Sequence, residues 1–122
     1  MLLTFALPFG CVGCSDDGSV SYDQISGAEA KALMDSESGY IILDAREQHE
    51  YDEGHIPGAI LIPYDEIADR ADKEFPDKNQ LILVYCRSGR RSKIAAEELV
   101  KLGYTNIKEF GGIIDWEYET VK

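Results

Sequence analysis

QLILVYC at residues 80–86, RSGRRS at 87–92 and KIAAEELV at 93–100 follow one another without a break. The first piece is an apolar run ending in a cysteine, the second a turn rich in Arg, Ser and Gly, and the third has helical spacing. Together they predict a buried strand, Leu81 to Tyr85, that delivers Cys86 to its C-terminal end. A tight loop then wraps past the sulfur, and a helix N-terminus points at it. Loop N–H groups and the positive end of a helix dipole make such a place an anion site. A thiol there ionises readily: free cysteine titrates near pH ~8.5, and helix N-termini or adjacent cations bring it to roughly 3.5–7.5. Arg87, Arg90, Arg91 and Lys93 lie within seven positions of Cys86. A cysteine chosen for packing also follows apolar strands, but it has no use for three arginines, two serines and a glycine in the next six residues.

The loop CRSGRRS (86–92) resembles the active loop of the rhodanese-like sulfurtransferases, Cys-Arg-Ser-Gly-x-Arg-Ser. LDAREQHEYDEGHIPGAILIP (43–63) resembles that family's Asp-x-Arg…Glu-Tyr…Gly-His-Ile-Pro-Gly-Ala segment, and GGIIDW (111–116) its closing Gly-Gly…Trp segment. Three matches in order, over roughly residues 20 to 122, are a specific signal. The resemblance implies sulfane-sulfur transfer through a Cys86 persulfide, from an anionic donor such as thiosulfate to cyanide or a thiol. It leaves room for a sulfur-relay protein as partner and calls for no metal or cofactor. Arg87, Ser88, Gly89, Arg90, Arg91 and Ser92 are the expected donor-binding residues: the arginines hold the anion, and the N–H groups of Ser88, Gly89 and Arg90 aim at the sulfur. Asp44 and Arg46 are expected to form a hydrogen-bonded pair bracing the site. His55, in a Gly/Pro turn, is expected to tie that turn rather than act as a base.

Two rival functions share the architecture. A cysteine phosphatase of the dual-specificity or cell-cycle type, or an arsenate reductase, holds five residues between Cys and Arg. Here Arg91 follows Cys86 after only four. A non-enzymatic binding module of the same fold typically lacks the nucleophile, which this chain has.

The 122 residues support one domain with one hydrophobic core. A net charge of −11 argues against a nucleic-acid partner, whose phosphates need a basic surface. Residues 1–19 stand apart as an apolar segment, MLLTFALPFG, followed by CVGCSDDGS. Cys11 and Cys14 admit three readings: a redox or metal pair, an export leader, or a tail without function. The export reading is preferred. Val12-Gly13-Cys14 before a Ser/Asp/Gly tether resembles a bacterial lipoprotein box, which would put a lipid anchor on Cys14 and the enzyme in the cell envelope or periplasm; otherwise it is cytoplasmic.

Residues 20–122 read as alternating strands and helices, hence an α/β domain with a mostly parallel central sheet and helices on both faces. Strands are expected at Val20–Ile25, Tyr40–Leu43, Ala59–Ile62, Leu81–Tyr85 and Asn106–Phe110. Ser26 and Glu29 have capping-box spacing and open a helix to about Ser36. A helical turn is expected at Glu47–Tyr51, a polar helix at Asp65–Asp72, and a helix from about Ser88 to Leu102, with Ile94, Ala95, Leu99 and Leu102 inward. Gly103 suits its C-terminal cap. Gly111-Gly112 reads as a flexible turn, and Ile113–Tyr118 as a last helical turn carrying Trp116 into the core or a pocket wall.

Overall fold

Apolar runs bounded by turn residues become the middle of a sheet. In the structure, a computed structural model that describes residues 21–122, five strands form: β1 (Asp23–Gln24), β2 (Ile41–Asp44), β3 (Ile60–Leu61), β4 (Ile82–Cys86) and β5 (Ile107–Gly112). They lie side by side in the order β1-β5-β4-β2-β3, and every pair is parallel. All residues of β2 and β4 are buried, as strands covered on both faces must be.

Between the strands run α1 (Gly27–Ser36), α2 (Gln48–Glu53), α3 (Ile67–Glu74) and α4 (Arg90–Lys101). The period-two alternation of the strands sorts their side chains onto two faces. Ile82, Val84 and Cys86 join Ile41, Leu43, Ala71, Phe75, Ala95 and Leu99 under α3 and α4. Leu83, Tyr85 and Ile42 join Ala30, Ile56 and Phe110 on the face that α1 covers. Each large apolar side chain taken out of water in this way contributes roughly 1.5–3 kcal/mol.

Local signals set most boundaries. Ser26 Oγ accepts the Glu29 N–H while Glu29 Oε1 accepts the Ser26 N–H, closing the capping box that starts α1. Gly103, at φ +98°, ends α4. The central strand begins one residue later than the apolar run suggests and includes Cys86, and α4 starts two residues later, at Arg90. The buried face of α4 is Ser92, Ala95, Ala96 and Leu99 rather than the expected stripe; Ile94 and Leu102 lie at its margin.

Gly111 and Gly112 are the end of β5 rather than a flexible turn. A Cβ on Gly112 would sit 2.0 Å from the Arg87 carbonyl oxygen, so only glycine lets β5 and the loop after β4 run this close. The expected polar helix is a 3-10 turn at Tyr64–Glu66 followed by α3, and the last helical turn is a 3-10 turn at Ile113–Asp115. The leader, the Cys11/Cys14 pair and the anchor at Cys14 fall outside the described residues. Among those residues no helix is long and apolar enough to cross a membrane.

The strand order places a switch between β2 and β4. From β2 the chain moves outward to β3, and from β4 it moves the other way to β5. Ligands of open α/β sheets bind at such a crevice, beyond the carboxyl ends of the strands.

Candidate active site

Cys86 is the last residue of β4 and is 1% exposed. Gly89 follows in the left-handed region, φ +113°, which favours a residue without a Cβ, and it is the N-cap of the 12-residue α4. This reversal turns the Gly89 N–H back onto Sγ at 3.0 Å. Burial alone pushes the Cys86 thiol up. The Ser92 hydroxyl and N–H, with the N–H groups of Gly89 and Ser88, outweigh burial and leave the thiol below its ordinary value. Of the expected loop N–H groups, that of Gly89 is the one hydrogen-bonded to the sulfur among the described residues.

The cations of the loop divide. Arg87 and Arg90 are exposed, and the Arg90 guanidinium lies 5.9 Å from the Tyr64 ring centroid. Arg91 turns away to Glu50 of α2: Nη1 donates to Oε1 at 2.8 Å and Nη2 to Oε2 at 2.9 Å. That bidentate bond uses one N–H on each terminal nitrogen of Arg91, which the sequence offers as a donor-binding residue. The Arg91 hydrogen bond, helped by the Glu47 N–H and opposed by burial, holds the Glu50 carboxyl down at about 2. Arg91 still adds a positive charge facing Cys86.

Beyond β2, Asp44 and Arg46 meet in a buried fork. Arg46 Nε reaches Asp44 Oδ1 at 2.9 Å and Nη2 reaches Oδ2 at 2.8 Å, and Arg46 also donates to the Gly54 carbonyl at 2.7 Å. Tyr85 Oη donates to Asp44 Oδ2 at 2.7 Å and accepts the Ile56 N–H at 3.1 Å. Burial, then the Asp44 charge, pushes the Tyr85 phenol far up, so it stays a donor. His55 stacks on Tyr51 with ring centroids 3.7 Å apart, its Nδ1 lies 2.9 Å from the Tyr51 carbonyl, and its backbone pairs with Val121. It sits in the turn.

Two residues of the site are absent from the sequence reading. Glu50 is one; the other is Glu109 of β5, 2% exposed, which accepts the Ser92 hydroxyl at 2.5 Å and the Gly111 N–H at 2.8 Å. Arg46, Glu50, Arg87, Ile114, Trp116 and Tyr118 line a cavity of about 640 Å³ beside the loop. Trp116 is half-buried and forms part of its wall.

A thiol at a strand end, an amide cradle and a following helix coincide with a family match: the rhodanese-like domain matches residues 26–119. The chain belongs to the rhodanese-like domain family. Its domain is a rhodanese-type sulfurtransferase domain. Thiosulfate sulfurtransferase PspE of Escherichia coli K12 is 40% identical over 80 residues, covering 66% of this chain and 77% of PspE. YrkF of Bacillus subtilis is 37% identical over 107 residues, and this rhodanese spans 57% of its length. The solved structure of a rhodanese with anions from E. coli superposes with a TM-score of 0.64 at 38% identity, covering 68% of this chain and 98% of that one.

Proposed function

We propose that this rhodanese moves sulfane sulfur from a small anionic donor such as thiosulfate to cyanide or a thiol, with Cys86 as carrier. The observation that carries the reading is the Cys86 sulfur, buried and held toward its anionic form by loop N–H groups at the head of α4. The thiolate attacks the outer sulfur of thiosulfate, the S–S bond breaks, and sulfite leaves with the electron pair. The acceptor then attacks the terminal sulfur of the persulfide and returns the Cys86 thiolate. Charge balances in both halves, and no other oxidant or reductant enters.

Arg87 and Arg90 are the free loop cations that draw the donor and offset the charge of departing sulfite. Arg91 and Glu50 brace the loop from α2. The cavity beside Arg87, with exposed Ile114 on its rim, is the approach for the acceptor. The name PspE carries describes the same donor. Only four residues separate Cys86 from Arg91, one fewer than in the phosphatase loop, which counts against the phosphatase alternative.

The test is steady-state turnover with thiosulfate and cyanide, set beside an aryl phosphate. Thiocyanate should form, and phosphate release should stay at background. Aryl phosphate hydrolysis without thiocyanate would reverse the assignment. For location, the proposal is export with a lipid on Cys14. Cys14→Ala should move the protein from the membrane to the soluble fraction, and identical partitioning of both proteins would exclude the anchor.

A further inference from the structure

The reaction as written above uses little of the surface around its cavity. Among the described residues the large apolar side chains exposed to solvent are Ile60, Ile114, Tyr118 and Val121, so three of the four fall between positions 114 and 121. Ile114 is 59% exposed and Tyr118 41%, and both line the cavity beside Arg87, together with half-buried Trp116. A single exposed apolar residue is ordinary, but a cluster at the mouth of a site marks a contact surface. This cluster is also held in place. The Ile114 N–H donates to the carbonyl of Arg87, the residue after Cys86, at 3.2 Å. Trp116 Nε1 donates to the Glu119 carbonyl at 3.0 Å, its ring packs on Phe110, and the Tyr118 ring stands edge-on to it with centroids 5.0 Å apart. Val121 is tied to His55 through both backbone groups. Side chains already fixed in this way lose little freedom when a partner covers them.

The charge around this surface is negative. Glu53 lines the cavity from α2, Asp115 follows Ile114, and Glu117 and Glu119 stand on either side of Tyr118. All four are exposed, and the ion pairs among the described residues include none of them. Of the two arginines in the lining, Arg46 is buried and paired with Asp44, which leaves Arg87 beside the loop for an anionic donor. An apolar centre with an acidic rim complements a basic surface with an apolar centre. Thiosulfate and cyanide, of a few atoms each, cover none of this rim. We propose that the surface of Ile114, Trp116 and Tyr118 docks a cationic polypeptide acceptor, which seats an apolar side chain on Ile114 and Tyr118 and sends a cysteine into the cavity toward the Cys86 persulfide.

The inference rests on Cys86 carrying the sulfur, and it deepens that reading by naming the class of acceptor. Cys86 is 1% exposed, and the outer sulfur of its persulfide stands about 2.05 Å beyond Sγ, so the acceptor must reach inward. An extended segment with its cysteine between apolar and basic residues has that reach. Its thiol gives its proton to water. The thiolate attacks the outer sulfur, the S–S bond breaks, Cys86 leaves as a thiolate with the electron pair, and the acceptor holds the new persulfide. The basic residues draw the segment over the acidic rim and favour its own thiolate. An anionic thiol such as glutathione meets carboxylates of its own sign.

Trp116 is the chain's single tryptophan and lies in the cavity wall, so its emission reports what docks there. The first arm titrates the full chain, without persulfide, with the peptides Lys-Leu-Ser-Leu-Lys and Glu-Leu-Ser-Leu-Glu. The basic peptide should bind saturably and about tenfold tighter than the acidic one at low salt, and the gap should narrow as salt rises. Ile114→Ser should weaken the basic peptide about fivefold. Glu53→Gln with Glu119→Gln should shrink the preference for the basic peptide. Asp69→Asn with Glu97→Gln, equal in charge and outside the cavity lining, should leave it in place. The second arm follows discharge of the sulfur-loaded protein, per acceptor thiolate, into the cysteine forms of both peptides and into glutathione, with cyanide for comparison. Ile114→Ser should slow discharge into the basic peptide several times more than discharge into cyanide. Equal binding of the two peptides, binding indifferent to Ile114→Ser, or faster discharge into glutathione or the acidic peptide overturns the proposal. A protein that takes no sulfur from thiosulfate would refute the carrier role instead, and the first arm, which needs no sulfur, would still decide the surface.

Discussion

At the end of β2, Asp44 is ringed by donors: the Arg46 N–H, the Arg46 guanidinium and the Tyr85 hydroxyl. One strand over, at the end of β4, Cys86 faces N–H groups and a helix start, and its sulfur has no cationic side chain in a direct pair. Both places are buried and both favour an anion. They differ in closure. The Asp44 network is satisfied within the protein and joins the end of β2 to the Gly54 turn through Arg46. The Cys86 cradle satisfies a charge while leaving the sulfur a lone pair to use. Arg91 with Glu50 ties one region to the other across 41 positions of sequence.

Cys86→Ser should separate the two regions most sharply. It should reduce sulfur transfer to background with Tm almost unchanged, because a hydroxyl fills the same cradle. Appreciable turnover in this variant would remove the cradle from the mechanism. Asp44→Ala should do the reverse, costing about 3–5 kcal/mol in denaturant unfolding, since it leaves Arg46 buried and unpaired. Any fall in transfer should then follow the loss of folded protein.

Gly112→Ala strikes where β5 meets the loop. Its methyl group would meet the Arg87 carbonyl, so the loop must move, with a stability loss of roughly 1–3 kcal/mol and a larger proportional fall in kcat/KM. Equal kcat/KM for wild type and variant would mean the loop position is not what activates the thiol.

The Glu50–Arg91 tie has a pH signature. The carboxyl titrates at about 2 when folded against 4.5 for its ordinary value. Its stabilisation is present above about pH 4.5 and is lost as the pH falls toward about 2. Glu50→Gln should therefore cost stability near neutrality, and the gap in Tm from wild type should close across that acid window. A gap independent of pH would mean that the charge contributes nothing. Smallest of all, Arg70→Ala removes exposed pairs with Glu66 and Glu74. It should change stability by less than about 1 kcal/mol and leave kcat/KM for the donor alone. A clear fall in kcat/KM for the donor would show that general positive charge, not the loop, recruits it.

What could be seen in the sequence was local. The capping box at Ser26, the stop at Gly103 and the Cys-loop-helix order of residues 86–101 are each set by neighbours in the chain, and the parallel sheet follows from apolar runs alternating with helices. What could not be seen depends on distant backbone. Gly111-Gly112 has the composition of a flexible turn, and only the approach of Arg87 makes it a constrained strand end. Arg91 looks like its loop neighbours until α2 brings Glu50 beside it. Glu109 is only one residue of an expected strand in the sequence, since nothing nearby in the chain shows that Ser92 of another element bonds to it. Ser92 and Ala96 are buried on α4 although neither belongs to the apolar stripe read from the sequence.

The central claim is that Cys86 carries the sulfur, and intact mass after incubation with thiosulfate tests it most directly. The wild type should gain one sulfur atom, located on the Cys86 peptide and released by cyanide, while Cys86→Ser gains none. No gain in the wild type, or the same gain in Cys86→Ser, would contradict the account.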